Sequence, residues 1–462
     1  MTDNSTIYAL ATPPGNGAIA VIRLSGDAAI SITDSLYAAR NPLKKLRSQK
    51  PNTIHFGALV FKNETLDEVL ISLFKGPNSY TGEDVVEISC HGSVYIQQKI
   101  MQAISACGAR LAQPGEFTMR AFLNGKLDLS QAEAVADLIA SQSEASHKVA
   151  LNQMRGGFST ILSLLRDQLL HFISLIELEL DFSDEDVEFA DRKQLVKLLN
   201  DIKTHINQLI SSFNYGNVIK NGVPVAIIGR TNVGKSTLLN SLLNEEKAIV
   251  SEIAGTTRDV IEDTITIDGI AFRFIDTAGI RHTTDTIENL GIERTFDRID
   301  KARIILYLAE AKDPFEEIRK AVSAIPVKES QHLILVLNKC DQLTDNEILD
   351  LENKLKSTPW PFVLISAKNR KHLSLLEKKI LEEVNAGKTD SGVIITNIRH
   401  YEALQLASVS LNRAFDGIKN HLPTDLIAQD IREIIFHLGE ISGEITTDEV
   451  LGNIFKNFCI GK

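Results

Sequence analysis

The chain has 462 residues, of which 44% are hydrophobic and 24% charged, a balance typical of a globular protein with a sizeable core and about three domains. The formal net charge of −11 argues against a protein that coats nucleic acid by bulk electrostatics, although it does not exclude a local basic patch. The sequence has no apolar run of about 18 residues, no signal-peptide pattern and no CxxC pair among its four cysteines, so we expect reduced thiols, a cytoplasmic location and no membrane partner.

The first 120 residues predict a mixed α+β domain. Residues 19–24 form a short β-rich run after a Gly-Asn-Gly turn, and residues 85–89 alternate like a strand. Residues 97–107 have helical spacing and end before Gly108, a residue type typical of the position after a helix.

Helical periodicity flanks a central α/β segment. It runs through residues 128–180 with a break at two adjacent glycines, resumes at 195–210 and returns at 399–457. Between predicted linkers at 215–224 and 388–392, strands and helices alternate as in a doubly wound α/β fold. We therefore predict an N-terminal α+β domain, a discontinuous helical domain and an inserted Ras-like P-loop domain. Their ranges are 1–120 for the first, 121–217 and 384–462 for the second, and 218–383 for the third.

A phosphate-binding loop opens the inserted domain. The predicted strand at 225–229 leads into Gly229-x4-Gly234-Lys235-Ser236, and a helix continues from Thr237. Glycines let backbone N–H groups approach phosphates, Lys235 supplies a catalytic cation, and the Ser236 hydroxyl suits Mg²⁺. The residues of this loop that we expect to contact the nucleotide are Asn232, Val233, Gly234, Lys235, Ser236 and Thr237.

Two further segments carry the expected magnesium and γ-phosphate contacts. After a predicted strand at 271–275, Asp276 can hold Mg²⁺ through water and the Gly279 N–H can sense the γ-phosphate. In the preceding loop a threonine must close over Mg²⁺; Thr257 is the predicted ligand, Thr256 is its competitor, and a plain polar loop is the alternative. The nucleotide contacts expected here are Ser251, Glu252, Ile253, Ala254, Gly255, Thr256, Thr257, Asp276, Thr277, Ala278 and Gly279.

The motif Asn338-Lys339-Cys340-Asp341 follows a predicted strand at 333–337 and indicates guanine. Asp341 can accept hydrogen bonds from the N1 and 2-amino groups of guanine, whereas adenine would leave this carboxylate unpaired. Ser366, Ala367 and Lys368 follow the strand at 362–365 and can add a backbone donor to the guanine O6. The order of these motifs predicts GTP rather than ATP.

The position after the Asp276–Gly279 motif holds Ile280, where a Ras-like GTPase orients water with a glutamine. An isoleucine cannot do this. Asp285, Glu288 and Glu293 are candidates for the task, and a switch loop with solvated charges is the alternative reading.

Several motifs together resemble one protein family over residues 5–462. They include Asn232 in the phosphate loop and, as sequence stretches, Gly255-Thr-Thr-Arg-Asp259, Tyr80-Thr-Gly-Glu-Asp84, Cys90-His-Gly92, Pro114-Gly-Glu-Phe117, Arg120-Ala-Phe-Leu-Asn-Gly-Lys-Leu-Asp128 and the terminal Cys459-Ile-Gly-Lys462. With these stretches the chain resembles the bacterial tRNA-modification GTPases of the MnmE (TrmE) family.

The resemblance implies a potassium site and a catalytic glutamate. Family members bind K⁺, which helps their GTPase domains dimerise and supplies positive charge. The positions matching its ligands are Asn232, Ser251, Ile253 and Thr256, with Ser251 replacing a frequent threonine. Glu288 matches the family's catalytic glutamate, which positions water through a bridging water.

The resemblance also implies a folate site and a homodimer in the N-terminal domain. Arg23, Glu87, Lys126 and Lys462 match positions that bind a 5-formyl-tetrahydrofolate type of one-carbon donor. Taken alone, each of these charged residues is as well explained by a surface ion pair. Cys459 is a candidate nucleophile, and the alternative is a free thiol beside the folate site.

The implied function is a potassium-stimulated GTPase that works with a flavin protein, MnmG (GidA). Such pairs add a (carboxymethyl)aminomethyl group at C5 of the wobble uridine of certain tRNAs, while GTP hydrolysis drives GTPase-domain dimerisation and conformational change. A ribosome-assembly GTPase and a folate-dependent transferase acting alone are the alternatives.

Overall fold

The computed structural model describes residues 5–41, 43–181, 192–243, 263–275, 299–385, 394–456 and 458–461. The chain divides into two compact units, each assembled from separated stretches. The first comprises Met1–Ile139, Asn152–Ala190 and Asp416–Lys462, and the second Ala140–Leu151 and Asp191–Phe415. The boundaries of the predicted domains stay predictions.

A seven-stranded sheet organises the first unit. Its strands are β1 (Ile7–Leu10), β2 (Ile19–Ser25), β3 (Tyr37–Ala39), β4 (Thr53–Phe61), β5 (Glu64–Phe74), β6 (Val85–His91) and β7 (Arg110–Leu111). They lie in the order β3-β4-β5-β6-β2-β1-β7, and every pair is antiparallel except β1 with β7. The strands predicted at 19–24 and 85–89 are confirmed as β2 and β6.

Helices cover this sheet and extend the first unit. They are α1 (Ala29–Leu36), α2 (Val94–Ala106), α3 (Glu116–Leu123), α4 (Leu129–Ala140), α6 (Gly157–Asp181), α13 (Thr424–Ser442) and α14 (Asp448–Phe455). Between α4 and α6 lies α5 (Glu144–Met154), most of which belongs to the second unit. The helix predicted at 97–107 is confirmed, and Gly108 follows it with φ +100°. The predicted break at the glycine pair is also confirmed, since Gly156 has φ +80° and separates α5 from α6.

A six-stranded sheet organises the second unit. Its strands are β8 (Val223–Ile228), β9 (Asp263–Ile267), β10 (Ile270–Phe274), β11 (Ile304–Glu310), β12 (His332–Asn338) and β13 (Phe362–Leu364), in the order β13-β12-β11-β8-β10-β9. All neighbours are parallel except β9 with β10. The helices are α7 (Arg192–Asn221), α8 (Lys235–Leu243), α9 (Phe315–Ser323), α10 (Asp345–Lys356), α11 (Leu373–Asn385) and α12 (Ile398–Lys419). Buried apolar residues cover both faces of this sheet, which confirms the doubly wound α/β prediction.

The linker predicted at 215–224 is wrong. Helix α7 continues through it to Asn221, and only Gly222, with φ +77°, separates the helix from β8. Tyr215 packs against the core of the six-stranded sheet, so this stretch is held by apolar burial. Gly216 is a packing glycine, because a Cβ there would lie 2.1 Å from the Ile395 carbonyl oxygen. The other predicted linker, at 388–392, lies outside the described residues.

Within the described residues, no helix has both the length and the apolar character needed to cross a membrane. The four cysteines are free thiols: Cys90 and Cys340 are buried, and Cys459 is exposed.

Candidate nucleotide-binding site

The phosphate loop joins the carboxyl end of β8 to the first turn of α8. Gly229 has φ +147° and Gly234 has φ +101°, conformations that side-chain-bearing residues rarely adopt. Space also requires both glycines. A Cβ on Gly229 would lie 2.2 Å from the Leu308 carbonyl oxygen, and one on Gly234 would lie 2.3 Å from Asn338 Nδ2. The loop is therefore a close-packed cradle that a single methyl group would disrupt.

Lys235 folds back over this cradle. Its Nζ donates to the Gly229 carbonyl oxygen at 2.7 Å and to the Arg230 carbonyl oxygen at 2.6 Å. Both acceptors are neutral backbone groups of the phosphate loop, and they hold the ammonium beside the glycine cradle. Lys235 and Ser236 are also the first residues of α8, where the helix dipole favours negative charge. The arrangement suits a polyphosphate.

The residues present also fit Mg²⁺. Ser236 offers a hard hydroxyl oxygen beside the glycine cradle, and Mg²⁺ takes few protein ligands because it keeps waters and binds substrate phosphates. Ser236 would hold the ion, which would supply positive charge that offsets the negative charge developing on the phosphates. Thr237, the next residue of the helix, is exposed.

Asn338 joins the phosphate loop to the loop that follows β13. This side chain is buried, and its Nδ2 donates to the Val233 carbonyl oxygen at 2.8 Å. Its Oδ1 accepts from the Ala367 N–H at 2.9 Å. The Ala367 carbonyl oxygen in turn accepts from Ser241 Oγ of α8 at 2.8 Å. One buried amide thus fixes the expected phosphate-binding and guanine-reading segments relative to each other.

Asp341 lies in the short 3-10 turn at Cys340–Gln342, and its carboxylate is exposed. A hydrogen bond from the Ser366 side chain lowers its pKa, with further lowering from Lys368 and Asn369. The group is therefore an anionic acceptor at neutral pH, as guanine recognition requires. Neighbouring Lys339 has φ +64°, and its Nζ donates to the Asn232 carbonyl oxygen at 3.2 Å and pairs with Glu310.

The loop 366–368 offers fewer backbone donors than its sequence suggests. The Ser366 N–H donates to the Lys371 carbonyl oxygen at 3.1 Å, and the Ala367 N–H is engaged by Asn338. A guanine O6 at this loop would either share the Ala367 N–H or accept from Lys368, which is exposed. This competition follows from the Asn338 bridge, which the sequence does not reveal.

The structure brings two of the predicted folate residues together on the seven-stranded sheet. Arg23 of β2 lies directly opposite Glu87 of β6. The Glu87 Oε1 atom accepts from Arg23 Nε at 2.9 Å and lies 2.8 Å from Nη2. Arg23 also donates to the Gly461 carbonyl oxygen at 3.4 Å, and Tyr80 and Phe117 flank its guanidinium. Lys126 is exposed after α3.

A buried ionic network beside this pair escaped the sequence reasoning. Arg120 of α3 donates to Glu116 Oε1 at 2.9 Å and to both carboxylate oxygens of Glu83 at 3.1 Å. Arg110 makes two further bonds to Glu116, at 2.6 and 2.8 Å. Ser25 of β2 donates to Glu83 at 2.6 Å. The network fixes α3 and the 79–84 loop, whose Tyr80 contacts Arg23. Its signal was the i,i+4 spacing of Glu116 and Arg120 on a short amphipathic helix.

Burial and hydrogen bonding oppose each other at Glu116. Burial alone would raise its pKa, but hydrogen bonds from Arg110, from the Gln113 N–H and from Arg120 outweigh that effect and lower the pKa. Glu116 is therefore ionised inside the protein.

Several predicted site residues lie outside the described residues. They are Ser251, Glu252, Ile253, Ala254, Gly255, Thr256, Thr257, Asp276, Thr277, Ala278, Gly279, Glu288 and Lys462. Ile280, Asp285 and Glu293 lie outside as well.

A glycine cradle at the start of a helix, a buried asparagine bridge and an ionised aspartate on a doubly wound sheet define the class of P-loop GTPases. Comparison with known proteins narrows this class to one family. The model described as the MnmE helical domain matches residues 129–459, and the model described as the GTP-binding protein TrmE N-terminus matches residues 6–126. The chain belongs to the MnmE (TrmE) family and is a GTP hydrolase.

Full-length relatives support the same family assignment. A protein of Flavobacterium johnsoniae is 54% identical over 470 residues, and one of Bacteroides thetaiotaomicron is 55% identical over 465 residues. Each alignment covers 100% of both chains, and both relatives are named tRNA modification GTPase MnmE. The solved G domain of the T. maritima FeoB iron transporter is 24% identical and covers 35% of this chain and 98% of its own, with a TM-score of 0.26. The family assignment rests on the full-length relatives and the family models.

Proposed function

We propose that this GTPase acts in tRNA modification together with a flavin protein of the MnmG (GidA) type. The pair adds a (carboxymethyl)aminomethyl group at C5 of the wobble uridine, with a 5-formyl-tetrahydrofolate type of donor and in the cytoplasm. The full-length relationship carries the proposal, because the relatives named for tRNA modification align with this chain from end to end.

GTP hydrolysis is the step for which this chain's own residues supply the clearest geometry. The cradle at 229–236 and Lys235 bind the phosphates, Ser236 with Thr257 holds Mg²⁺, and Asp341 reads guanine. The nucleotide contacts proposed are the predicted residues at 232–237, 251–257, 276–279 and 366–368, together with Asn338, Lys339 and Asp341. Preorganised positive charge at the β/γ bridge stabilises charge developing in the transition state.

Potassium completes this charge in the proposal. Asn232, in the phosphate loop, has φ +64° and is exposed, and among the described residues its side-chain amide has no hydrogen-bond partner. An amide oxygen presented in this way fits a monovalent cation, and Ser251, Ile253 and Thr256 would supply the other ligands. Glu288 would position the attacking water through a second water.

The seven-stranded sheet supports the proposed homodimer and folate site. Phe56 of β4 and Leu70 of β5 are register partners, and both are exposed, as is Ile54 on the same strand face. An apolar patch of this kind on a sheet face favours a protein interface. Folate recognition would use Arg23, Glu87, Lys126 and Lys462.

Potassium dependence is the first test. Replacing K⁺ by Na⁺ should slow GTP hydrolysis by about tenfold or more, because the smaller Na⁺ would not be held by ligands spaced for K⁺ and its positive charge would be missing at the transition state. Asn232→Ala should remove the difference between the two salts. Equal rates in both salts for the unaltered protein would eliminate the potassium site. Glu288→Ala should retain GTP binding while turnover falls, and unaffected turnover would eliminate its role.

Reconstitution tests the pathway. Purified protein, GTP, folate and unmodified tRNA should yield the modified wobble uridine only when the flavin protein is added. Modification without the flavin protein would favour a transferase that acts alone and would overturn the proposed partnership.

A further inference from the structure

A basic loop lies between β3 and β4 of the seven-stranded sheet. Residues 40–50 contain five Lys or Arg residues and no Asp or Glu, in a chain whose net charge is −11. We use "basic loop" for residues 43–50 together with Lys75, which follows β5. Its cations are Lys44, Lys45, Arg47, Lys50 and Lys75. So strong a local excess of one charge in an acidic protein requires an explanation.

The backbone of the basic loop is fixed from beneath. Asp34 of α1 is buried and accepts from the Leu46 N–H at 2.6 Å and from Arg47 Nε at 3.0 Å. Leu46 is fully buried in the core of the sheet, and the 3-10 turn Leu46–Ser48 follows from this anchor. Lys75 Nζ donates to the Arg47 carbonyl oxygen at 3.3 Å and so joins the loop. Asp34 and Leu46 thus fix the backbone that carries the cations.

The anchor uses only one of the five cations. Asp34 neutralises Arg47, whereas Lys44, Lys45, Lys50 and Lys75 contact no carboxylate within the described part of the chain. Lys45 and Lys50 are exposed, and Lys44 is half-buried. Burial and the charge of Lys44 lower the pKa of His55 on the neighbouring strand β4. The basic loop therefore carries four ammonium groups that are not paired with a carboxylate of the described residues.

We propose that the basic loop binds the phosphate backbone of the tRNA substrate; this inference rests on the proposed function. A polyanion with closely spaced charges matches clustered lysines, and its binding releases counterions. Lysine acts as a point charge without the bidentate geometry that reads base edges, so this surface positions the RNA and does not select its sequence.

An acidic protein surface is the competing partner, and the composition of the loop favours RNA. Protein interfaces depend on buried aromatic or arginine anchors surrounded by apolar contact area. The basic loop has one exposed apolar side chain, Leu43, and its only arginine is engaged by Asp34.

The test removes the four unpaired charges and keeps the anchor. In the full chain, Lys44, Lys45, Lys50 and Lys75 are all replaced by Gln, while Asp34 and Arg47 are retained. A glutamine at position 75 can still donate to the Arg47 carbonyl oxygen. The control protein carries four Lys→Gln changes at exposed lysines of the second unit, namely Lys197, Lys301, Lys320 and Lys356.

Binding of an unmodified, in-vitro-transcribed tRNA is followed by fluorescence anisotropy at several salt concentrations. The basic-loop variant should bind about tenfold or more weakly at low salt, and its slope of log affinity against log salt should be shallower by about 3. The control protein should lose much less. GTP hydrolysis without tRNA should be unchanged in both proteins, which shows that they are folded.

Unchanged tRNA binding in the basic-loop variant overturns the inference, and so does an equal loss in the control protein. Retained tRNA binding with loss of the complex with the flavin protein identifies a protein-docking surface and also overturns it. The reconstitution with unaltered chain tests the proposed function separately. If the reconstitution fails, tRNA is not the substrate and the proposed function is overturned. If only the comparison of the variants fails, only the inference about the basic loop is overturned.

Discussion

The two sheets stabilise their candidate sites with different buried chemistry. On the six-stranded sheet the neutral amide of Asn338 joins the phosphate loop to the 366–368 loop, and the Asp341 carboxylate of that site is exposed. On the seven-stranded sheet the buried groups are themselves ions, Glu116 and Arg120. A neutral support keeps its strength as pH changes and leaves the site's charges available for a ligand. An ionic support depends on the protonation of its own members.

The same difference extends to the ligand-facing residues. Two neutral carbonyl oxygens of the phosphate loop hold the Lys235 ammonium beside the glycine cradle. Arg23 and Glu87 already satisfy each other, and a ligand that binds both must replace or share their contact. A ligand at the proposed folate site would therefore have to rearrange an existing ion pair, whereas the two Lys235 contacts described above are to neutral groups.

The largest expected effect tests whether the exposed charge of the nucleotide site selects the base. Asp341→Asn should reverse the nucleotide preference, so that xanthosine triphosphate binds better than GTP. The relative affinity should change by about 10³-fold, because the hydrogen-bonding pattern that reads the purine is inverted. The measurement is competition binding of the two nucleotides. Asn346→Ala, at an exposed position of α10, is the control. An unchanged preference would refute the guanine assignment.

The next effect tests the ionic support. Glu116→Gln should lower the free energy of unfolding at pH 7 by about 3 kcal/mol, because it removes the buried carboxylate that Arg110 and Arg120 share. The folded-state pKa of Glu116 is lowered, so its contribution is fully present above the ordinary glutamate pKa of about 4.3. It is lost as pH falls from there through the lowered pKa.

Urea unfolding followed by circular dichroism between about pH 3 and 7 measures this difference. The gap between the unaltered protein and Glu116→Gln should close as the solution is acidified. Glu64→Gln, an exposed change at the first residue of β5, should behave like the unaltered protein. A gap that persists at low pH would show that packing, not charge, is responsible.

The smallest effect tests the neutral support. Asn338→Ala leaves the Val233 carbonyl and the Ala367 N–H unpaired, and should cost the second unit about 2 kcal/mol and weaken GTP binding. No titrating group is involved, so the loss should be the same at pH 5 and pH 8. Fluorescence of Trp360, the only tryptophan of the chain, reports unfolding of this unit. A pH-dependent loss would contradict the contrast between the two supports.

Local signals were sufficient for the nucleotide-binding elements. The strand predicted at 225–229 and the helix expected from Thr237 correspond to β8 and α8, because an apolar run, fixed glycines and a lysine specify this turn within a few residues. The stretch 215–224 was wrongly predicted to be a linker, because a glycine in a polar sequence is also typical of the end of a helix. The close approach of the Ile395 carbonyl oxygen explains Gly216 instead. Tertiary packing decides such a position, and a local pattern cannot reveal it.

Long-range partners were beyond the sequence. Arg23 and Glu87 are 64 residues apart, and their contact depends on the register of β2 with β6. Asn338 was expected to contact the nucleotide, yet its amide is shared between Val233 and Ala367, which lie on separate loops. The five Lys or Arg residues at 40–50 were not predicted to form a site, and the buried anchor of this loop on Asp34 required the folded structure.

The junction between α7 and β8 has a mechanical consequence. The helix has 30 residues and so spans about 45 Å, and one glycine joins it to the strand whose far end carries the phosphate cradle. Because a single residue joins them and Tyr215 packs against the core of the sheet, the helix and the strand have little freedom to turn independently, and a tilt of β8 would displace the far end of α7.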